Sequence, residues 1–204
     1  MYQEIINAKT KRLLETIDRI KTIENFYLAG GTALALQLGH RKSIDLDWFS
    51  QKEFDVSILK KELFSFGSLK IDSEDKQTLN CQLDDFKISF FVYPYKILFP
   101  LIDFNKIKLA DERDIACMKI DTISSRGAKK DFIDLYFLLK KYRLEELLNL
   151  FDKKYIGIKY NRFHLLKSLT YFDDAESEPM PEILKDISWE KIKDEIMEKV
   201  KNQI

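Results

Sequence analysis

Two aspartates at positions 45 and 47 follow a Gly-Gly-Thr step at residues 30–32, with His40, Arg41 and Lys42 between them. Carboxylates at i and i+2 of a strand project to one face, where they can share Mg²⁺ ions that neutralise phosphate charge and activate an attacking hydroxyl. A Gly-Gly step at a strand end lets backbone approach a ligand closely, and the helix opening there aims free N–H groups forward. A triphosphate is a natural occupant, and the three cations could meet its oxygens. On spacing alone, however, IDLDWFS reads better as a half-exposed edge strand, and a Gly-Gly step as a plain turn. Only the combination points to phosphate chemistry.

The elements that must position these residues are legible in outline. Residues 3–24 place apolar side chains at helical intervals and predict one amphipathic helix. FYLAG (26–30) reads as a buried strand, with Thr32 capping a helix over 33–39 that Gly39 closes. SIDLDWFS (43–50) alternates as a strand, with Asp45 and Asp47 on one face and Ile44, Leu46 and Trp48 on the other. A helix at 55–66 and strands at 68–74, 77–83 and 86–93 follow, with Asp84 and Asp85 as a hairpin turn and Pro94 and Pro100 marking a loop. Helices then run over 111–126, 130–142, 144–153, 162–170 and 188–202. The acidic, proline-bearing stretch 173–182 reads as a linker or surface loop. Strands first and helices later predict an α+β fold: a mixed sheet with flanking helices in a domain over 1–108, then a helical domain over 109–204 packed against it.

Composition removes several classes of function. Hydrophobic residues form 45% of the 204, enough for an ordered core. Thirty-four Lys+Arg balance 34 Asp+Glu, so a broad basic face for nucleic acid is excluded and any such contact must be local. Cys81 and Cys117 lack metal-ligand spacing and read as buried free thiols. With two histidines and those cysteines, no Ser-His-Asp or Cys-His arrangement can be argued. His164 reads as a packed or surface histidine, Trp189 as an anchor for the last helix, and the aromatics of 86–99 as core and loop packing. No apolar run reaches membrane length or forms a signal-peptide core, so a cytoplasmic location with no membrane contact is expected.

A further block lies in the helical half. In CMKIDTISSRGAKKDFIDLYFLL (117–139), Lys119 and Arg126 share a helix face, and Asp131 and Asp134 share another. The plain alternative is an amphipathic helix pair joined by a salt bridge, with Lys129 and Lys130 as surface charges. Taken together, the segments carry a resemblance. GG-T followed by D-L-D resembles the signature of the DNA-polymerase-β-like nucleotidyltransferase superfamily. LAGGTALALQLGHRKSIDLDWFS looks like the AbiEii/AbiGii toxin family within it, and 117–139 and 165–193 resemble later segments of that family.

That resemblance implies transfer of a nucleoside monophosphate from an NTP to an acceptor hydroxyl, with tRNA or another RNA as acceptor and Mg²⁺ as cofactor. It also implies the toxin of a toxin–antitoxin or abortive-infection pair, partnered by a cognate antitoxin protein. Carried onto this chain, it assigns metal binding to Asp45 and Asp47, phosphate contact to Lys119, and to Asp134, with Asp131, the orienting of Lys119 or service as a base. Gly30, Gly31, Thr32, Arg41, Lys42 and Arg126 complete a nucleotide-binding set. One departure is visible: where many relatives place a third carboxylate on a later strand, this chain has Ser89. The alternatives are a Mg-NTP-binding module without catalysis, or a nucleotidyltransferase acting on a small molecule of the aminoglycoside kind.

Overall fold

The computed structural model describes residues 1–203; residue 204, the last of the expected helical domain, lies outside them. Among the described residues seven strands form one mixed sheet in the order β3-β4-β5-β2-β1-β7-β6. They are β1 (Tyr27–Ala29), β2 (Leu46–Ser50), β3 (Leu69–Glu74), β4 (Thr78–Leu83), β5 (Phe86–Val92), β6 (Ile102–Phe104) and β7 (Ile107–Leu109). Strand β1 lies antiparallel to β2 and parallel to β7, and β2 runs parallel to β5. The helices are α1 (Ala8–Ile17), α2 (Gly30–Leu38), α3 (Val56–Phe64), α4 (Glu112–Ser125), α5 (Lys129–Leu139), α6 (Leu144–Lys154), α7 (Arg162–Ser168), α8 (Asp173–Glu176) and α9 (Trp189–Lys201).

Local chemistry accounts for most boundaries. Side chains of Asn7, Asp55, Asp111, Asn161 and Ser188 accept backbone N–H bonds at the starts of α1, α3, α4, α7 and α9. Asp84 and Asp85 both adopt positive φ, the paired left-handed conformation that a two-residue hairpin requires, and they join β4 to β5. Both cysteines are buried and free, and burial pushes each thiol up to about 12, which leaves them unreactive.

Several expectations are corrected. Residues 3–24 are not one helix: Asn7 caps a fresh start at Ala8, and short 3-10 turns at Gln3–Ile5 and Lys21–Asn25 flank α1. Thr32 does not cap α2, which begins at Gly30 with Ala29 as N-cap and no side-chain cap bond. Ile44 is 56% exposed because β2 starts only at Leu46. A second hairpin, β6–β7, turns on Asn105 and Lys106 at positive φ and lies where a connecting loop was expected. The expected division after 108 falls inside β7, which pairs with β1. Stretch 173–182 is no free linker: α8 occupies part of it, and Lys129 Nζ donates to the carbonyls of Glu176 and Glu178. Lys129 is thereby buried rather than a surface charge.

Helices α4 and α5 pack on α2, so one core runs from the sheet into the helical half. Trp189, at the start of α9, packs edge-on against Phe132 and Phe172. Among the described residues no helix is long and apolar enough to cross a membrane.

Candidate active site

One face of the sheet near α2 opens into a cleft of about 640 Å³. Gly30 and Gly31 form its edge at the turn from β1 into α2. Gly30 sits at φ +68°, and a Cβ there would fall 2.5 Å from Asp47 Oδ2. At Gly31 a Cβ would run into the Arg41 guanidinium. Both positions therefore require glycine, one for its left-handed backbone and both for close approach. No side chain caps α2, so its first N–H groups stand at this edge without a side-chain partner, as an anion site requires.

Asp47 lies on β2 at the register position that pairs with Ser89 of β5, and Ser89 pairs in turn with Asn80 of β4. The three line one wall of the cleft. The next row along the strands is aromatic: Phe49 and Phe91 are register partners whose rings stack with centroids 5.2 Å apart. Burial pushes the Asp47 carboxyl above its ordinary value, opposed by Lys119 and reinforced by Asp45. Asp45 precedes the strand, with its side chain 45% exposed, and Lys130 Nζ stands 3.7 Å from its Oδ2. Thr32 is buried: its hydroxyl donates to the Asp45 carbonyl at 2.5 Å and lies 2.9 Å from the Ser43 hydroxyl. It holds the Asp45 segment against α2 and does not line the cleft.

The opposite wall comes from α4 and α5. Lys119, on α4, is buried and places Nζ 2.6 Å from both Asp131 Oδ1 and Asp134 Oδ2. Burial alone would lower its pKa, but the two carboxylates overcome that and raise it, so the ammonium is permanent. Asp134 Oδ1 accepts from His40 Nε2 and Arg41 Nε, each at 2.7 Å, and Oδ2 accepts from Arg41 Nη2 at 2.9 Å. Burial pushes the Asp134 carboxyl up, yet Lys119 and Arg41, with the bonds from Arg41 and His40, hold it well below the usual carboxylate range. Burial lowers the His40 pKa against the pull of Asp134, which favours a neutral ring donating through Nε2; Nδ1 has no partner.

Of the expected site residues, the fold brings Gly30, Gly31, Arg41, Asp45, Asp47, Lys119, Arg126 and Asp131 to the cleft. Asp134 is buried behind it, and Thr32 and Lys42 also stand outside its lining; Lys42 is half-exposed and paired with Glu182 at 2.5 Å. The fold adds residues that sequence reasoning passed over. Lys130 was expected to be a surface charge, and nothing in its helical position distinguishes it from one; it faces Asp45. Asn80 and Ser43 become visible only through strand register and the turn before β2. Asp131 Oδ2 is buried without a hydrogen bond, with Arg126 Nε 3.6 Å away.

The donor set fits a divalent ion that arrives with phosphate ligands. Asp45 and Asp47 supply carboxylates on one wall, and among the described residues no third His, Cys, Asp or Glu converges with them. Mg²⁺ characteristically takes one or two protein carboxylates and completes its shell with substrate phosphates and water.

Known proteins similar to this chain carry the same arrangement of elements. The solved structure of JHP933 from Helicobacter pylori superposes with a TM-score of 0.57 at 17% identity, covering 97% of this chain and 92% of that one. MenT4, the nucleotidyltransferase toxin Rv2826c from Mycobacterium tuberculosis H37Rv, superposes at 0.59 with 12% identity, covering 94% and 82%. At such identities the likeness establishes the fold. In sequence, the Aquifex aeolicus protein aq_aa25 is 37% identical over 205 residues, 98% of each chain. The profile of the family described as "Nucleotidyl transferase AbiEii toxin, Type IV TA system" matches residues 12–202. With that profile spanning nearly the whole sequence, the chain belongs to the AbiEii family of nucleotidyl transferase toxins.

Proposed function

We propose that this chain transfers a nucleoside monophosphate from an NTP to a hydroxyl of an RNA acceptor, tRNA foremost, as the cytoplasmic toxin of a toxin–antitoxin pair. The observation that carries the reading is the pairing of two carboxylates with a glycine-lined helix start across one cleft. The triphosphate lies along Gly30 and Gly31, with Arg41, Lys130 and Arg126 within the same cleft to offset its charge. Lys119 sits between the phosphates and the buried acids, and Phe49 and Phe91 offer an apolar wall to the base. Asp45 and Asp47 hold Mg²⁺, which supplies charge neutralisation at the phosphates and a more acidic acceptor hydroxyl. In the step itself the acceptor oxygen bonds to the α-phosphorus, the bond to the bridging oxygen breaks, and pyrophosphate leaves. The hydroxyl proton passes to a base or to solvent. A cognate antitoxin protein holds the activity in check.

The test is transfer of label from each α-³²P NTP to total tRNA with Mg²⁺. Wild type should label RNA from at least one NTP, and Asp45→Ala and Asp47→Ala should each lower the rate by about 1,000-fold or more. Equal labelling by wild type and both variants overturns the reading. A second reading, Mg-NTP binding without transfer, draws on one observation: Ser89 stands opposite Asp47, at a position where a carboxylate would complete a two-metal site. Tight nucleotide binding with no label on any acceptor would favour it.

A further inference from the structure

Next to the catalytic cleft, on the side of α7, lies a second groove whose walls include Ser125, Arg126, His164, Lys167 and Tyr171. Ser125 and Arg126 line both, so the groove continues the cleft across the end of α4. Its surroundings are unlike the rest of the chain. Overall charge is balanced, yet the twenty residues from Lys153 to Phe172 hold five Lys or Arg and no Asp or Glu. Arg162 is engaged by Asp152 at 3.1 Å, and Lys154 is buried on Asp114 at 2.7 Å. Lys153, Lys159 and Lys167 have no acidic partner among the described residues. Apolar and aromatic side chains stand out between these cations: Ile156 is 81% exposed, Phe163 65% and Tyr171 50%. Cations interleaved with exposed rings suit a single-stranded nucleic acid, whose phosphates meet the cations while its bases stack. Two acids stand beside Tyr171: Asp174, also in the groove's lining, and Asp173, which hydrogen-bonds the Tyr171 hydroxyl.

We propose that this groove binds the single-stranded end of the RNA acceptor and leads its terminal hydroxyl into the cleft. The inference rests on the nucleotidyl-transfer reading, but binding can be measured apart from transfer. Lys167 and Tyr171, in the groove's lining, contact a phosphate and stack on a base, and Lys159 and Phe163, exposed outside that lining on the same cationic stretch, extend the contact to neighbouring nucleotides. The charge pattern favours RNA over an acidic protein segment because rings as well as cations are displayed.

The experiment is fluorescence anisotropy of a labelled 12-nucleotide RNA with a free 3′ hydroxyl, using the full chain without NTP. Double substitution Lys159→Glu/Lys167→Glu should weaken RNA binding about tenfold or more at low salt. In Lys159→Ala/Lys167→Ala the slope of log affinity against log salt should become shallower by about 1.4, since each single-strand phosphate contact contributes about 0.7. Affinity for NTP should not change in either variant, and both should keep the wild-type melting temperature, because these side chains are exposed. Phe163→Ala/Tyr171→Ala should weaken RNA binding while leaving the salt slope unchanged. Unaltered RNA affinity in all three variants overturns the groove, whether or not wild type transfers nucleotides. So does a polyglutamate peptide of equal charge that binds wild type as tightly as the RNA, which would assign the patch to an acidic protein. RNA binding that depends on these residues, together with absence of any label transfer, would support the groove while overturning the transfer reading.

Discussion

Four nitrogen donors converge on the two oxygens of Asp134, from His40, Arg41 and Lys119. Such a residue has no free lone pair to accept a substrate proton, and it lies behind the cleft rather than in it. Its work is positional: it locks the Arg41 guanidinium under Gly31 and shares Lys119 with Asp131. Asp134→Ala strands the buried Arg41 guanidinium and leaves Lys119 with Asp131 alone, which should destabilise the chain by about 3–5 kcal/mol in urea unfolding. A loss below about 1 kcal/mol would mean that the cluster is not fully desolvated. Asp131 differs, because it reaches the cleft and keeps one oxygen without a hydrogen bond. Of the two acids that the resemblance assigned to this segment, only Asp131 is among the residues lining the cleft, although it too is buried.

At the scale of elements, the turn from β1 into α2 decides whether the carboxylates and the helix start can share one phosphate group. Gly30 holds this turn at positive φ with Asp47 against it. Gly30→Ala imposes a left-handed backbone on an L side chain, a cost of roughly 1–2 kcal/mol, and pushes on Asp47 Oδ2. Thermal melting should register a loss of about that size. Transfer should fall further, by about 100-fold, since displacement of a catalytic group by an ångström has that order of effect. Parallel losses in stability and activity, with no excess in the rate, would separate Gly30 from the site. Two residues along the same helix, the inward-turned Thr32 hydroxyl plays the matching part, tying α2 to the residues that lead into β2.

At the scale of the molecule, the buried polar cluster joins residues ninety-three and ninety-four apart in sequence, so it forms only when the sheet half and the helical half close together. That makes folding sensitive to acid. His40 has a folded pKa below its ordinary 6.5, so below that pH the unfolded chain binds more protons and stability falls. Asp134, also depressed, contributes stability that is present above about pH 4 and is lost as pH falls toward its folded value. The urea midpoint should therefore decline as pH falls below about 6.5, and again below about pH 4. His40→Gln should flatten the first decline and leave the second. A first decline that persists in His40→Gln would assign it to another group.

The residue types that could do this chemistry were legible in the sequence, although spacing alone favours a plain turn and an edge strand, and the roles in the Lys–Asp–Asp block come from the family resemblance. So were the α+β order, the Asp84–Asp85 turn and the two buried thiols, since alternation and helical spacing report burial directly. Several other features were not legible. Lys130 and Lys129 are adjacent lysines with the same helical credentials, and only packing sends one to Asp45 and buries the other against the acidic stretch 173–182. Hairpin β6–β7 is too short to show alternation, and its place in the sheet is set by the long-range parallel pairing of β7 with β1. The resemblance favours Asp134 over Asp131, and their three-residue spacing gives no reason to reverse that order. Which of the two reaches the cleft was decided by the angle at which α5 packs on α2 and α4, a long-range property that no window of sequence contains.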